Sequence, residues 1–183
     1  MRLGAAAAGS SLFFALAPGS MAGLVPWLIT RWRFESPLAG WLPVRWLGGL
    51  VLVASAGFVV HAFVRFAVDG LGTPAPVAPT RHLVVSGIYR HVRNPMYAAV
   101  TGAVIGQALL FGQLSLLAYA AAFLGVTAAF VHWYEEPTLA RQFPDDYPAY
   151  RANVPGWLPR LRPWSGSGPA ARRPSGRRAG DQG

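Results

Sequence analysis

The sequence predicts an all-α polytopic membrane protein with about four transmembrane helices, a cytoplasmic connector and a C-terminal interfacial segment. Three observations carry this. Hydrophobic residues make up 53% of the 183 residues and charged residues only 13%, about half the charge of an ordinary soluble domain. The apolar residues fall into four long runs, most of them close to the ~20 residues that cross a bilayer. The polar chemistry gathers between and after those runs, above all in Gly87-Ile-Tyr-Arg-His-Val-Arg-Asn-Pro-Met-Tyr97.

The first run extends from about Ala5 to Ile29. Cleavage as a signal peptide would fall after Ala15-Leu16-Ala17, directly before Pro18, which is unfavourable. The apolar run also continues past that point to Trp27, so a retained helix is expected. The second run is roughly Trp46 to Val68. It carries His61 and Arg65 four apart, hence on one helix face. Arg65 is expected to snorkel to the interface and His61 to make a polar contact inside the bundle. Asp69 to Thr80 holds three prolines and two glycines, which forbid a continuous helix and predict an extended connector.

Tyr97 to Phe111 and Leu114 to about Tyr134 are two further apolar runs, joined by Gly112-Gln113 as a tight helical hairpin. The former reaches across a bilayer only if its helix starts near Asn94, with Pro95 in the first turn. Pro137 predicts a break or a new helix. Thr138 to Trp164 interleaves aromatics with arginines and reads as interfacial. Ser165 to Gly183 is Gly, Pro, Ser and Arg with almost nothing apolar, the composition of a disordered basic tail. Residues 1–164 are therefore expected to form one integral membrane domain and residues 165–183 a tail.

Several chemistries are excluded. There is no cysteine, hence no disulfide, thiolate metal site or cysteine nucleophile. All sixteen basic residues are arginine, which removes Schiff-base chemistry. His61, His82, His91 and His132 lack close ligand spacing, so no metal site is expected. Hydrolase motifs of the GxSxG or HExxH kind are absent. The net charge of +9 is read as arginines left beside membrane spans, not as a nucleic-acid surface. With four spans, Arg2, Arg81, Arg90, Arg93 and the eight arginines from Arg141 to Arg178 share one side, against Arg31, Arg33 and Arg45 on the other. The positive-inside rule then puts both termini and the connector in the cytoplasm. The composition, rich in alanine, glycine and arginine, suggests a bacterial inner membrane.

This topology brings the connector and the segment after the last helix to one membrane face. Glu135 and Glu136 suit an ammonium or ribose hydroxyls, Arg81 or Arg93 a carboxylate, and Tyr89, Tyr97 or Trp133 a soft cation against a ring face. S-adenosylmethionine presents all of these groups, and many nucleotides present most of them. The plainer reading is that these arginines and tyrosines are ordinary interfacial anchors.

Gly87-Ile-Tyr-Arg-His-Val-Arg-Asn-Pro-Met-Tyr97 resembles the G-x-Y-x-x-x-R-[HN]-P-x-Y signature of the isoprenylcysteine carboxyl methyltransferases and their phospholipid-methyltransferase relatives. Glu135-Glu-Pro-Thr-Leu139, Phe143-Pro-Asp-Asp-Tyr147, Tyr150 and Val154-Pro155 resemble that family's second motif. The similarity covers roughly Gly72 to Pro163. It implies a small helical membrane enzyme that methylates a lipophilic or prenylated acceptor among membrane lipids, with S-adenosylmethionine as cofactor. Carried over residue by residue, it implies cofactor contacts from Arg81, His82, Leu83, Val84, Tyr89, Asn94, Pro95, Met96, Tyr97 and Glu135. The lipid would enter laterally between helices. Asn94 stands where the best-known members have histidine, and Pro144 where they have glycine. Val131 and His132 occupy the region where several carboxyl-methylating members have arginine. A carboxylate acceptor then lacks its expected cationic partner unless Arg141, Arg151 or another arginine substitutes.

Direct displacement at a sulfonium methyl needs positioning and desolvation, not a covalent enzyme intermediate. An amine or hydroxyl acceptor also needs a base, for which His132 and Glu136 are the candidates, with Glu135 assigned first to the cofactor. Two other readings compete. One is a lipid-binding scaffold whose basic tail touches anionic headgroups. The other is a nicotinamide-dependent membrane reductase, for which only the tail arginines could bind phosphate.

Overall fold

The computed structural model describes residues 16–69 and 83–166. Those residues are helical, with no strand among them. Helix α1 is Leu16–Thr30, α2 Leu42–Asp69 and α3 Pro95–Phe111. Helix α4 is Ser115–Gln142 and α5 Tyr147–Asn153. A 3-10 turn, Gly87–Arg90, precedes α3. Two of these helices are long and apolar enough to cross a membrane, α2 through Leu42–Ala62 and α4 along its 28 residues. Helices α1 and α3 are apolar but shorter over the described residues, so the expected count of four spans is not confirmed. Arg2, Arg81, His82, the Arg65 side chain, the connector from 70 to 80 and the tail beyond 166 lie outside the described residues.

Helix α3 begins and ends where its sequence dictates. Asn94 is the N-cap and Pro95 opens the helix, where its missing N–H costs nothing. Gly112 closes it at φ 70°, donating its N–H to the Ala108 carbonyl, a left-handed cap that glycine adopts without strain. Glycines also let α2 and α3 touch backbone to backbone. A Cβ on Gly106 would lie 2.6 Å from the Leu52 nitrogen, and one on Gly48 2.8 Å from the Gly106 carbonyl oxygen. Small residues at a crossing are how apolar helices gain packing when lipid supplies no hydrophobic drive. His61 does not make the expected bundle contact and is exposed. It faces instead an open cleft that Phe58, Gly87, His91, Ala98 and Trp157 also line.

Both α1 and α4 contain a π turn just ahead of a proline. In α1 the turn is Ser20–Leu24, and the Val25 N–H bonds to the Ser20 carbonyl, five residues back. That shift deprives the Met21 carbonyl of its helical donor, and Pro26 deprives the Ala22 carbonyl of its own. Two side chains replace them. The Tyr119 hydroxyl donates to Met21 O at 2.9 Å, and Gln107 Nε2 donates to Ala22 O at 2.6 Å. These bonds bind α1 to α3 and α4. In α4 the π turn is Val131–Glu135, and the Glu136 N–H reaches the Val131 carbonyl. Pro137 therefore does not break the helix as expected; the widened turn absorbs its ring and its missing donor, and α4 continues to Gln142.

The loop after α1 and the α3–α4 hairpin meet at one end of the molecule: Glu35 N donates to Phe111 O at 2.7 Å, and Trp41 Nε1 to Leu109 O at 2.9 Å. The Gly87–Tyr97 segment lies at the other end. There the chain after α5 returns along it as an extended strap. Arg93 N donates to Pro155 O, Asn94 N to Gly156 O, Arg160 N to His91 O and Trp164 N to Arg90 O, at 2.9 to 3.1 Å. A small core of Leu83, Tyr147, Tyr150 and Val154 lies beneath. The expected interfacial segment after Thr138 is thus three pieces: the end of α4, helix α5 and this strap.

Candidate cofactor cavity

A cavity of about 180 Å³ opens where α1, α3, α4 and the 3-10 turn converge. Its polar end is formed by Tyr89, Arg93, Asn94, Tyr97 and Glu135, and its apolar end by Ala17, Pro18, Met21, Val100 and Phe123. Pro95 and Met96 also line it. Each π turn supplies one wall residue, Met21 at the apolar end and Glu135 at the polar end.

Tyr97 and Glu135 face each other, the hydroxyl donating to Oε2 at 3.3 Å. Trp157 of the strap lies against the Tyr97 ring, centroids 6.5 Å apart. Asn94 is buried, and its Nδ2 has no partner, although its residue occupies the N-cap position where side chains usually bond the helix end. A buried amide donor without an acceptor is costly, and the residue that carries it lines the cavity.

Glu136, one residue from Glu135, points elsewhere. Its Oε1 accepts from Arg93 Nη1 at 2.5 Å and its Oε2 pairs with Arg151 at 3.0 Å. Arg93 also donates to Tyr147 OH and to the Val154 carbonyl. Successive helix residues are about 100° apart, so fixing Glu136 on the strap side aims Glu135 at Tyr97. Burial pushes the Tyr89 hydroxyl far above its ordinary range, reinforced by Tyr150, Glu135 and Tyr97. Burial raises Tyr150 as well, against Arg93, and raises Tyr147, with Glu136 adding and Arg93 opposing. These phenols stay protonated; Tyr150 donates to the Tyr89 carbonyl at 2.7 Å, and Tyr147 accepts from Arg93.

Of the residues singled out in the sequence, Tyr89, Asn94, Pro95, Met96, Tyr97 and Glu135 meet at this cavity. Leu83 and Val84 are buried beside it in the chain, Leu83 under α5. Arg81 and His82 lie outside the described residues. The acid–base candidates are not lining residues: Glu136 is held in its ion pairs, and His132 is exposed on α4 beside Trp133, itself 76% exposed. Sequence reasoning missed the α1 wall and Phe123, which carry no motif. That one of the two glutamates pairs with arginines was a plain expectation of the sequence; that the pair is Glu136 with Arg93, across 43 positions, has no local signature.

Residues 44–146 match the family model described as phospholipid methyltransferase. No curated protein and no solved structure matches the chain. The matched stretch is more than half of the sequence and contains Asn94, Tyr97, Glu135 and the α2–α4 frame that brings them together. The chain belongs to the phospholipid methyltransferase family.

Proposed function

We propose that this chain transfers a methyl group from S-adenosylmethionine to a nucleophilic heteroatom on a lipophilic acceptor, at the cytoplasmic face of a bacterial inner membrane. One observation carries the reading: Tyr97 and Glu135, 38 positions apart, meet across a cavity that also holds the unpartnered amide of Asn94. Counted over a four-span topology, the arginine asymmetry supports the cytoplasmic orientation.

The residues fit the cofactor. Glu135 would hold its ammonium or ribose hydroxyls, and Asn94 Nδ2 would donate to its carboxylate or a ring nitrogen. The rings of Tyr89 and Tyr97 would flank its cation. Leu83 and Val84, with Arg81 and His82 by resemblance, would complete the set. When bound, the cofactor supplies an electrophilic methyl on a positively charged sulfur. The chain's own residues align the acceptor, exclude water and receive a proton. The donor held by Glu135, Asn94, Tyr89 and Tyr97 would supply the methyl group, and the acceptor's proton would pass to the chain's own carboxylate.

Two acceptors share this chemistry, the carboxylate of a prenylated thiol acid and the amine of a phospholipid. The cavity favours the amine. Glu135 is the one carboxylate among its described lining residues, and a second carboxylate beside it would be repelled. The cation in the lining, Arg93, is already neutralised by Glu136. An amine must lose a proton, and we assign its uptake to Glu135, because Glu136 and His132 stand off the cavity.

Calorimetry of S-adenosylmethionine with the purified protein in detergent tests the reading, followed by mass spectrometry of lipid extracts incubated with labelled methyl donor. Saturable binding that is lost in Glu135→Gln, and label in an amine-bearing lipid, are expected. Absence of binding at millimolar cofactor would leave a lipid-binding scaffold instead.

A further inference from the structure

We infer that the open cleft on the α2 side of α3 holds one anionic phospholipid of the surrounding bilayer, distinct from the methyl acceptor, with its phosphate beside His61 and His91. This goes beyond the methyltransferase reading and stands or falls without it. Three observations carry it.

The cleft, about 840 Å³, joins hydrocarbon walls to two imidazoles. Ala54, Gly57, Phe58 and His61 recur at helical spacing, so one face of α2 forms a wall. A Cβ on Gly57 would meet nothing within 4 Å, so the cleft is open where glycine lines it. His61 lies inside the apolar span Leu42–Ala62, is exposed, and has no partner among the described residues. An ionisable side chain in a membrane span is costly unless something pairs with it. His91 donates from Nδ1 to the Arg160 carbonyl at 2.8 Å. A carbonyl only accepts, so Nε2 is the ring atom left for a ligand.

Charge selects the headgroup. Among the described residues that line the cleft there is no carboxylate, and the charged form of an imidazole is positive. A phosphate diester complements this wall, and an ammonium does not. The lipid is therefore of the opposite kind to the amine acceptor proposed for the cavity.

Placement makes the site accessory. Helix α3 turns Pro95, Ala98 and Ala99 to the cleft and Met96, Tyr97 and Val100 to the cavity. A headgroup beside His61 is thus across α3 from Glu135, out of reach of methyl transfer. The strap connects the two. Trp157 lines the cleft and lies against Tyr97, ring centroids 6.5 Å apart. His91 grips the strap twice, its ring donating to Arg160 O and its carbonyl accepting from Arg160 N. A lipid seated on His91 and Trp157 fastens the strap beside Tyr97.

The test is native mass spectrometry of the full chain released from detergent micelles, with dioleoyl phosphatidylglycerol or dioleoyl phosphatidylcholine. The two share their acyl chains, so a difference reports the headgroup. One phosphatidylglycerol is expected to be retained about tenfold more tightly than phosphatidylcholine. His61→Leu should abolish that preference, and Gly57→Leu, which fills the cleft, should lower retention of either lipid about tenfold. Gly125→Leu, on the exposed part of α4 where a Cβ also meets nothing within 4 Å, should change neither. Equal retention of the two lipids overturns the site, as does equal loss in Gly57→Leu and Gly125→Leu. A dimer that Gly57→Leu dissolves would give the cleft to a second copy of the chain and overturn it too. Hydrogen exchange of residues 155–164 tests the fastening. Phosphatidylglycerol should slow it in the unaltered chain and not in Gly57→Leu; exchange indifferent to bound lipid refutes the link to the strap. Helical circular dichroism of each variant confirms that a lost lipid is not a lost fold.

Discussion

Arg93 and Glu136 form an ion pair at 2.5 Å, with side chains only 14% and 11% exposed, directly beneath the cavity wall. The pair lies between the 87–97 segment and the end of α4, and Arg93 continues it to the Val154 carbonyl of the strap. Removing one partner strands the other, which costs about 3–5 kcal/mol for a buried pair. Glu136→Gln and Arg93→Met should therefore unfold at clearly lower temperature or denaturant. Arg151→Met, whose side chain is 53% exposed, should cost within about 1 kcal/mol. Equal losses from all three would refute this ranking.

The Asn94 amide predicts opposite effects on stability and binding. Its buried Nδ2 lacks a partner in the free protein. Asn94→Leu should leave the midpoint of unfolding without cofactor unchanged or slightly higher, because a desolvated donor costs about 1–3 kcal/mol. The same change should weaken S-adenosylmethionine binding about tenfold or more by calorimetry. Unaltered affinity would remove Asn94 from the site.

Tyr97 and Glu135 make a long hydrogen bond, 3.3 Å. Tyr97→Phe should thus weaken cofactor binding only about threefold to tenfold, the range of a single modest bond. Glu135→Gln should weaken it further, because a charged acceptor is lost. A Tyr97→Phe protein with unaltered affinity and turnover would deny Tyr97 any part in ordering the pocket.

The contact of Gly106 with Leu52 and Gly48 predicts a packing defect with no change in chemistry. Gly106→Leu forces the α2 and α3 backbones apart and should destabilise the protein by on the order of 3 kcal/mol. Denaturant titration in mixed micelles measures it. Gly125, around which a Cβ meets nothing within 4 Å, is the control, and its change to alanine should be neutral or stabilising.

Alkaline stability follows from the buried phenols. Tyr89, Tyr147 and Tyr150 are all raised by burial above the ordinary value of 10. Below pH 10 the folded and unfolded states hold these protons equally, so their contribution is fully present. Above it the unfolded chain ionises first, and stability falls as pH rises. Denaturation midpoints should hold level to about pH 10 and then decline. Tyr150→Phe should lessen that decline, at the expense of its bond to the Tyr89 carbonyl. A midpoint level through strongly alkaline pH would contradict the burial of these groups.

Much of this architecture was legible in one dimension. Local chemistry marks Asn94 and Pro95 as a helix start and Gly112 as its end, because each needs only its own backbone to act. The clustering of Tyr89, Asn94, Tyr97 and Glu135 was also readable, through motif residues on two segments that the topology brings to one face. The fate of Pro137 was not. A proline that ends a helix and one absorbed by a π turn look alike in sequence, since the difference lies in whether Glu136 bonds four or five residues back.

The sequence alone determined an apolar helical protein, the bounds of α3 and the residues of the polar site. Those depend on composition, periodicity and local backbone limits. Only the tertiary structure decided which of two adjacent glutamates faces the cavity and which residues of α1 close it. Both depend on pairings between distant segments, Arg93 with Glu136 and Tyr119 with the Met21 carbonyl. Such pairings depend on the three-dimensional approach of the chain, and no local pattern encodes them.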